Sequence, residues 1–263
     1  MRPVPSPVPR SLRWPALLAA ALFALPLAGL ALRTPWSRLI SESMRPEVRT
    51  SLLLSLQSSL GAAGICLVLG LPLAAWLADG KSPLRTWVRA LVLLPMVLPP
   101  VVGGLALLTA FGRSGILGAP LFALTGKALP FTPFAVILAE AYVAMPFFVL
   151  AVEGGLRTLD RRPIEAAATL GATPWRTFTT VTLPLLAPVL GAGLLVAWAR
   201  ALGEFGATIT FAGNLEGSTR TLPLAVYSAL ESDPDGALVL GLVLVGCSLA
   251  VLIVLRKRWF PSS

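Results

Sequence analysis

EAAATLGATPWRTFTTVTLP, residues 165–184, is the stretch on which the reading of the whole chain turns. It is too polar to cross a bilayer, yet its order of residues is that of folded structure. Pro163 suits the first turn of a helix, where its missing N–H costs little. Glu165 follows near that N-terminus, where a negative charge suits the helix dipole. Ala166, Ala167 and Ala168 have high helix propensity and almost no side-chain bulk. Gly171 fits the left-handed position that ends a helix. Thr173-Pro174 reads as an N-cap and first-turn proline for a second helix. Trp175, Phe178 and Val181 then recur at helical spacing as an apolar stripe. The stretch is predicted to be a compact helical elbow with a small, smooth face and one acidic group. It is either an amphipathic segment lying on a membrane or a docking knob for a cytoplasmic partner.

The chain on either side belongs to a membrane. Of 263 residues, 56% are hydrophobic and 13% charged, where a soluble domain carries roughly 25% charged residues. Mean hydropathy is +0.83. An apolar run of about 20 residues spans a bilayer. Six such runs can be drawn, at about 15–32, 51–78, 88–111, 132–152, 184–203 and 236–255, which makes the fold an all-α polytopic membrane protein of six transmembrane helices. Prolines 95, 99 and 100 fall in the third run and predict a kinked or broken helix there. The first run, with its basic start and the small residues Ala28, Gly29 and Ala31, also has the form of a signal peptide.

Six spans place both termini on one side. Counted that way, 13 of the 21 Lys and Arg residues lie on the side of the termini and of the elbow, and 8 elsewhere. The positive-inside rule therefore sets both termini and the elbow in the cytoplasm. Arg33, Arg38, Arg45 and Arg49, in the loop after the first span, run against this rule. The basic excess follows the loops between spans, which argues against a nucleic-acid partner. The chain has no His, and so lacks the commonest metal ligand and general base. Cys66 and Cys247 each lie in an apolar span and read as small hydrophobes. Nothing in the sequence calls for a cofactor or a metal. A phosphate-binding G-x4-G-K-[ST] loop is missing too: neither Gly80-Lys81 nor Gly126-Lys127 has a glycine five residues earlier. The chain is not predicted to be an enzyme, and energy from ATP would have to come from another subunit.

The elbow also carries a resemblance. Glu165-Ala166-Ala167, three residues, Gly171, nine residues, then Val181-x-Leu183-Pro184 resembles the EAA loop of ABC importer permeases, with Val181 where the family usually has Ile. By that resemblance the loop, 161–184, is the coupling helix. Glu165, Ala166, Ala167 and Gly171 would dock into a groove on the ATP-binding subunit.

A second stretch narrows the family. In ARALGEFGATITFAGN, 199–214, Arg200 and Glu204 are four apart and share a helix face. Arg200 would sit about 24 Å along a helix starting at 184, in the outer half of the bilayer. It either faces a water-filled path or forms a self-contained ion pair at a helix end. Together with TRTLPLAVYSALES, 219–232, this stretch resembles the permease subunit of molybdate ABC transporters, over about 50–255.

That resemblance implies a type I importer fold in a bacterial inner membrane, with a permease domain over 47–255. A first helix and outer loop would occupy 14–46, and cytoplasmic tails 1–13 and 256–263. It implies a homodimer with the anion path on its axis, two ATP-binding subunits below, and a periplasmic or lipid-anchored molybdate-binding protein above. Arg200, Glu204, Thr208 and Thr210 are the candidate path residues. Glu140 reads as a helix–helix hydrogen-bond partner. Tungstate and sulfate stay open as cargo. A secondary transporter acting alone leaves the elbow unexplained, and an enzyme built on Glu140 and Glu204 lacks a nucleophile or a metal.

Overall fold

The computed structural model describes residues 10–80 and 82–259, with the backbone alone for residues 10, 251, 252 and 254–259. Twelve helices follow a short turn at Arg10–Leu12: α1 Arg13–Arg33, α2 Leu39–Ser43, α3 Pro46–Ala78, α4 Pro83–Val97, α5 Pro100–Phe111 and α6 Gly118–Thr125. Then come α7 Pro133–Thr158, α8 Arg162–Thr169, α9 Pro174–Leu202, α10 Gly206–Phe211, α11 Leu222–Ser232 and α12 Pro234–Trp259. There is no strand among the described residues. Four helices, α1, α3, α7 and α9, are long and apolar enough to cross a membrane, while Pro100–Phe111 and Pro234–Ala250 are apolar but shorter.

Three helices start alike. Ser82, Thr132 and Thr173 each precede a proline at the first helical position. Each accepts a hydrogen bond from the backbone N–H three residues on, that of Arg85, Ala135 or Arg176, at 3.3, 3.2 and 3.3 Å. The hydroxyl satisfies a donor that lacks an intrahelical partner, and the proline supplies a fixed helical φ.

The expected third span is broken, for the reason its prolines give. Leu98 and Pro99 are extended, with ψ of 142° and 133°, because a residue before proline is pushed out of the helical region. α4 and α5 are the two halves.

Helix α7 is the hub, packed against α3, α4, α5, α9 and α10. Between helices in lipid there is little hydrophobic drive, so close packing and hydrogen bonds must hold the bundle. Both are present. Ala135, Ala139, Ala141 and Ala144 are buried along α7, and Phe148 fills the gap beside Gly70 of α3, where a Cβ would lie 2.6 Å from its ring. Ser51, Ser55, Ser58 and Ser59 make a buried stripe on α3. Ser55 accepts the Leu222 N–H of α11 at 2.7 Å, Ser59 accepts the Trp198 indole N–H of α9 at 2.8 Å, and Ser58 donates to Glu140 of α7 at 2.9 Å. Glu140 is thus the interhelical partner expected of it. Cys66 is buried and free, and Cys247 is free too.

Two further features depart from the sequence reading. The elbow's second helix does not end: Pro174–Thr177 runs through a wider π turn, Phe178–Thr182, straight into the span. And the segment between the fifth and sixth spans, to which the sequence reading gave no helix of its own, holds α10 and α11. Helix α11 packs on α12 and α3.

Two of the four arginines that follow the first span are paired with carboxylates. Arg38 meets Asp233 at 2.7 Å and Glu42 at 2.9 Å, and Arg45 meets Glu42 at 3.0 Å. Residues 1–9 and 260–263, most of the two expected tails, lie outside the described residues, as does Lys81; α1 begins at Arg13.

Candidate functional site

The elbow is α8 and the first turn of α9. The Asp160 carboxylate accepts the Arg162 N–H at 3.0 Å and starts α8, a cap the sequence reading passed over although Asp-x-Arg-Pro signals it. The helix closes through three backbone bonds: Leu170 N–H to Ala166 O at 3.1 Å, Gly171 N–H to Ala168 O at 3.0 Å and Ala172 N–H to Ala167 O at 3.0 Å. Gly171 sits at φ +81°, and a Cβ there would meet nothing within 4 Å. Its glycine is therefore required by the backbone, while its surface is open.

Glu165, Ala166 and Gly171 are exposed and Ala167 is half-buried. Beside them Leu170 and Trp175 are 88% and 73% exposed. Of the predicted stripe, Phe178 stacks on Trp175 with ring centroids 6.0 Å apart, but Trp175 itself points away from the body. The four residues predicted to dock thus share one exposed apolar surface with a single carboxylate. A cleft of about 610 Å³, lined by Trp76, Asp79, Ile164, Ala168, Pro174 and Phe178 among others, separates the elbow from the C-terminal end of α3.

Behind the elbow lies a charged node that the sequence reading missed. Glu153 of α7, 4% exposed, accepts from Arg89 of α4 (Nε 3.0 Å, Nη2 2.6 Å) and from Arg157 one turn on (2.8 Å). The Arg89 Nη2 also donates to the Leu77 carbonyl at the end of α3, at 3.1 Å. The i,i+4 spacing of Glu153 and Arg157 was the available signal; nothing local marks Arg89.

The four candidate path residues fall together at the break between α9 and α10. Arg200 Nη1 meets Glu204 Oε2 at 2.7 Å, and Glu204 Oε1 accepts the Ala207 N–H at 2.8 Å. Glu204 and Thr208 are buried in the subunit interior, whereas Arg200 and Thr210 are half-buried. Thr210 donates to the Gly206 carbonyl at 2.8 Å. The Thr208 hydroxyl and one Glu140 oxygen are buried without a hydrogen-bond partner among the described residues. Helix α10 crosses α5 closely: a Cβ on Gly104 would lie 2.7 Å from the Ala207 carbonyl, and one on Gly206 2.8 Å from Pro100.

Known proteins share this sequence and fold. Residues 70–260 match the family model of the binding-protein-dependent transport system inner membrane component. The molybdenum transport system permease protein ModB of Mycobacterium tuberculosis is 45% identical over 251 residues, 95% of this chain and 94% of that protein. ModB of Escherichia coli K12 is 38% identical over 209 residues, 80% of this chain and 91% of that one. Among solved structures, a bacterial alginate ABC transporter in complex with alginate pentasaccharide-bound periplasmic protein superposes with a TM-score of 0.71. It is 17% identical and covers 96% of each chain. The fold is thus that of an ABC importer's transmembrane subunit, and the chain belongs to the family of binding-protein-dependent transport system inner membrane components.

Proposed function

We propose that the chain forms the transmembrane path of an ATP-driven importer for molybdate, with tungstate as a second cargo. The observation that carries the mechanism is the elbow: an ordered, exposed, small-residue surface whose glycine is held at a positive φ and whose apolar neighbours have no cover among the described residues. Such a surface suits a partner that approaches closely. Glu165, Ala166, Ala167 and Gly171 contact an ATP-binding subunit, which supplies the phosphate-binding loop missing from this sequence. Cargo is assigned through relatives at 45% and 38% identity that are named molybdenum transport permeases.

In this reading two copies of the chain pair around the path, two ATP-binding subunits sit below, and a periplasmic or lipid-anchored molybdate-binding protein delivers from above. The termini and the elbow face the cytoplasm of a bacterial cell with the chain in its inner membrane. The domain runs over 47–255 with the coupling loop at 161–184. A tetrahedral dianion cannot shed its hydration in a low dielectric without donors to replace it. Arg200 supplies them: Glu204 takes one end of its guanidinium, and the side chain remains 29% exposed. Thr210, half-buried on α10, and the buried Glu204 and Thr208 complete the set.

Uptake of labelled molybdate into vesicles holding the chain with its ATP-binding and binding-protein partners tests this. Uptake should require ATP and be blocked by tungstate but not by sulfate. Block by sulfate moves the cargo to sulfate; uptake indifferent to ATP overturns the permease assignment.

A further inference from the structure

We infer that Glu153 and Arg89 form a positioning link that carries motion of the elbow into the broken helix α4–α5, and so couples ATP hydrolysis to opening of the path. This rests on the reading of the elbow as the ATPase dock.

The elbow is attached to the body at two places. One is its continuous junction with α9. The other is the end of α7, from which only Leu159, Asp160 and Arg161 separate it. Displacement of the elbow must therefore pull on the last turns of α7. Those turns carry Glu153 and Arg157. Arg89 grips Glu153 through two nitrogens and reaches on to the Leu77 carbonyl. One guanidinium thus joins the middle of α4 to the last turns of α7 and the end of α3. A two-nitrogen arginine–carboxylate contact fixes orientation as well as distance. A buried carboxylate cannot let go of its cations without a large penalty. The link is stiff where apolar contacts between these helices would slide.

From Arg89 the route is short. Helix α4 ends at Val97, the extended pair Leu98-Pro99 follows, and α5 begins at Pro100. Helix α5 lies against α10, with Gly104 on the Ala207 carbonyl and Pro100 on Gly206. Rotation of α4 arrives where Arg200 and Glu204 sit. Charge balance points the same way. Glu153 already has Arg157 on its own helix at 2.8 Å, so Arg89 is not needed to neutralise it. Arg157 also reaches the Leu77 carbonyl of α3, at 3.5 Å, so what Arg89 adds is the connection to α4.

Two variants test this in the full complex, with binding-protein-stimulated ATP hydrolysis and molybdate uptake measured together. Arg89→Gln leaves Glu153 paired with Arg157 and breaks the connection. Glu153→Gln removes the charge that both arginines share. In each, co-purification of the ATP-binding subunit and the rate of ATP hydrolysis should stay near wild type. Molybdate carried per ATP should fall about tenfold, within the usual span of coupling between sites. The exchange of the two, Arg89→Glu with Glu153→Arg, should restore part of that ratio. Unchanged molybdate per ATP in Arg89→Gln overturns the link. So does a parallel fall of hydrolysis, uptake and assembled complex in both variants, which would make the node purely structural. If the wild-type chain itself fails to bind the ATP-binding subunit, the dock reading fails instead, and that control separates the two.

Discussion

At Gly171 the backbone and the surface make separate demands. A φ of +81° disfavours any side chain by about 1–2 kcal/mol, yet there is open space where one would go. Gly171→Ala therefore reports the backbone cost alone and should weaken docking modestly. Gly171→Trp adds bulk outward without a clash inside the subunit. It should insert in the membrane normally and lose both the ATP-binding subunit and transport. Pull-down of that subunit alongside uptake checks both; transport surviving the tryptophan would end the docking reading. Glu165 is a different case. Its exposed carboxylate lies in the first turn of α8, so removal of its charge touches the helix dipole as well as any partner.

Between elements, the breaks are where the sequence spoke least clearly. Arg200 and Glu204, four apart, form the ion pair at a helix end that was one of the two readings of their spacing; what the spacing did not show is that α9 stops between them and that Glu204 also accepts the Ala207 N–H of α10. Arg200→Gln alone would strand a buried carboxylate and cost about 3 kcal/mol or more in stability, which hides any effect on transport. Arg200→Gln with Glu204→Gln removes both charges. If Arg200 serves the path, the pair should assemble and hydrolyse ATP but carry molybdate at least about tenfold more slowly; uptake at the wild-type rate would leave the two as a structural pair. The same contrast runs through the fold. Prolines at 99 and 100 announced the break in the third span, since φ restriction is local. The elbow was legible for that reason also: proline, glycine and threonine each fix their own backbone. Helices α10 and α11 were not, because their burial against α5, α3 and α12 depends on contacts far along the chain. The Glu153 node was half visible, as its Arg157 partner is one turn away and its Arg89 partner is on another helix.

On the scale of the whole molecule, ion pairs tie the segment after α1 to the start of α12. The Arg38 guanidinium, and next the Gly236 N–H, hold the Asp233 carboxyl below the usual carboxylate range; Asp233 and Glu42 in turn raise Arg38. Glu42, Arg45 and Asp235 surround them. A depressed carboxylate contributes stability that is complete above its unfolded value of about 3.9 and is lost as pH falls through the folded value. Thermal unfolding in detergent should show the gap between wild type and Asp233→Asn hold steady above about pH 5 and shrink as the pH falls below about 3.9. A gap that stays constant would mean the pair does not act through its charge.

That contact also sets an order of events during synthesis. Arg38 and Asp233 are 195 residues apart. Helix α1 has no buried residue of its own, and its main neighbour is α12, which follows Asp233 directly. Helix α1 therefore gains its main neighbour within the subunit only once α12 is in place. A chain made and released only as far as α11 would hold the bundle around α7 while α1 still lacked that neighbour.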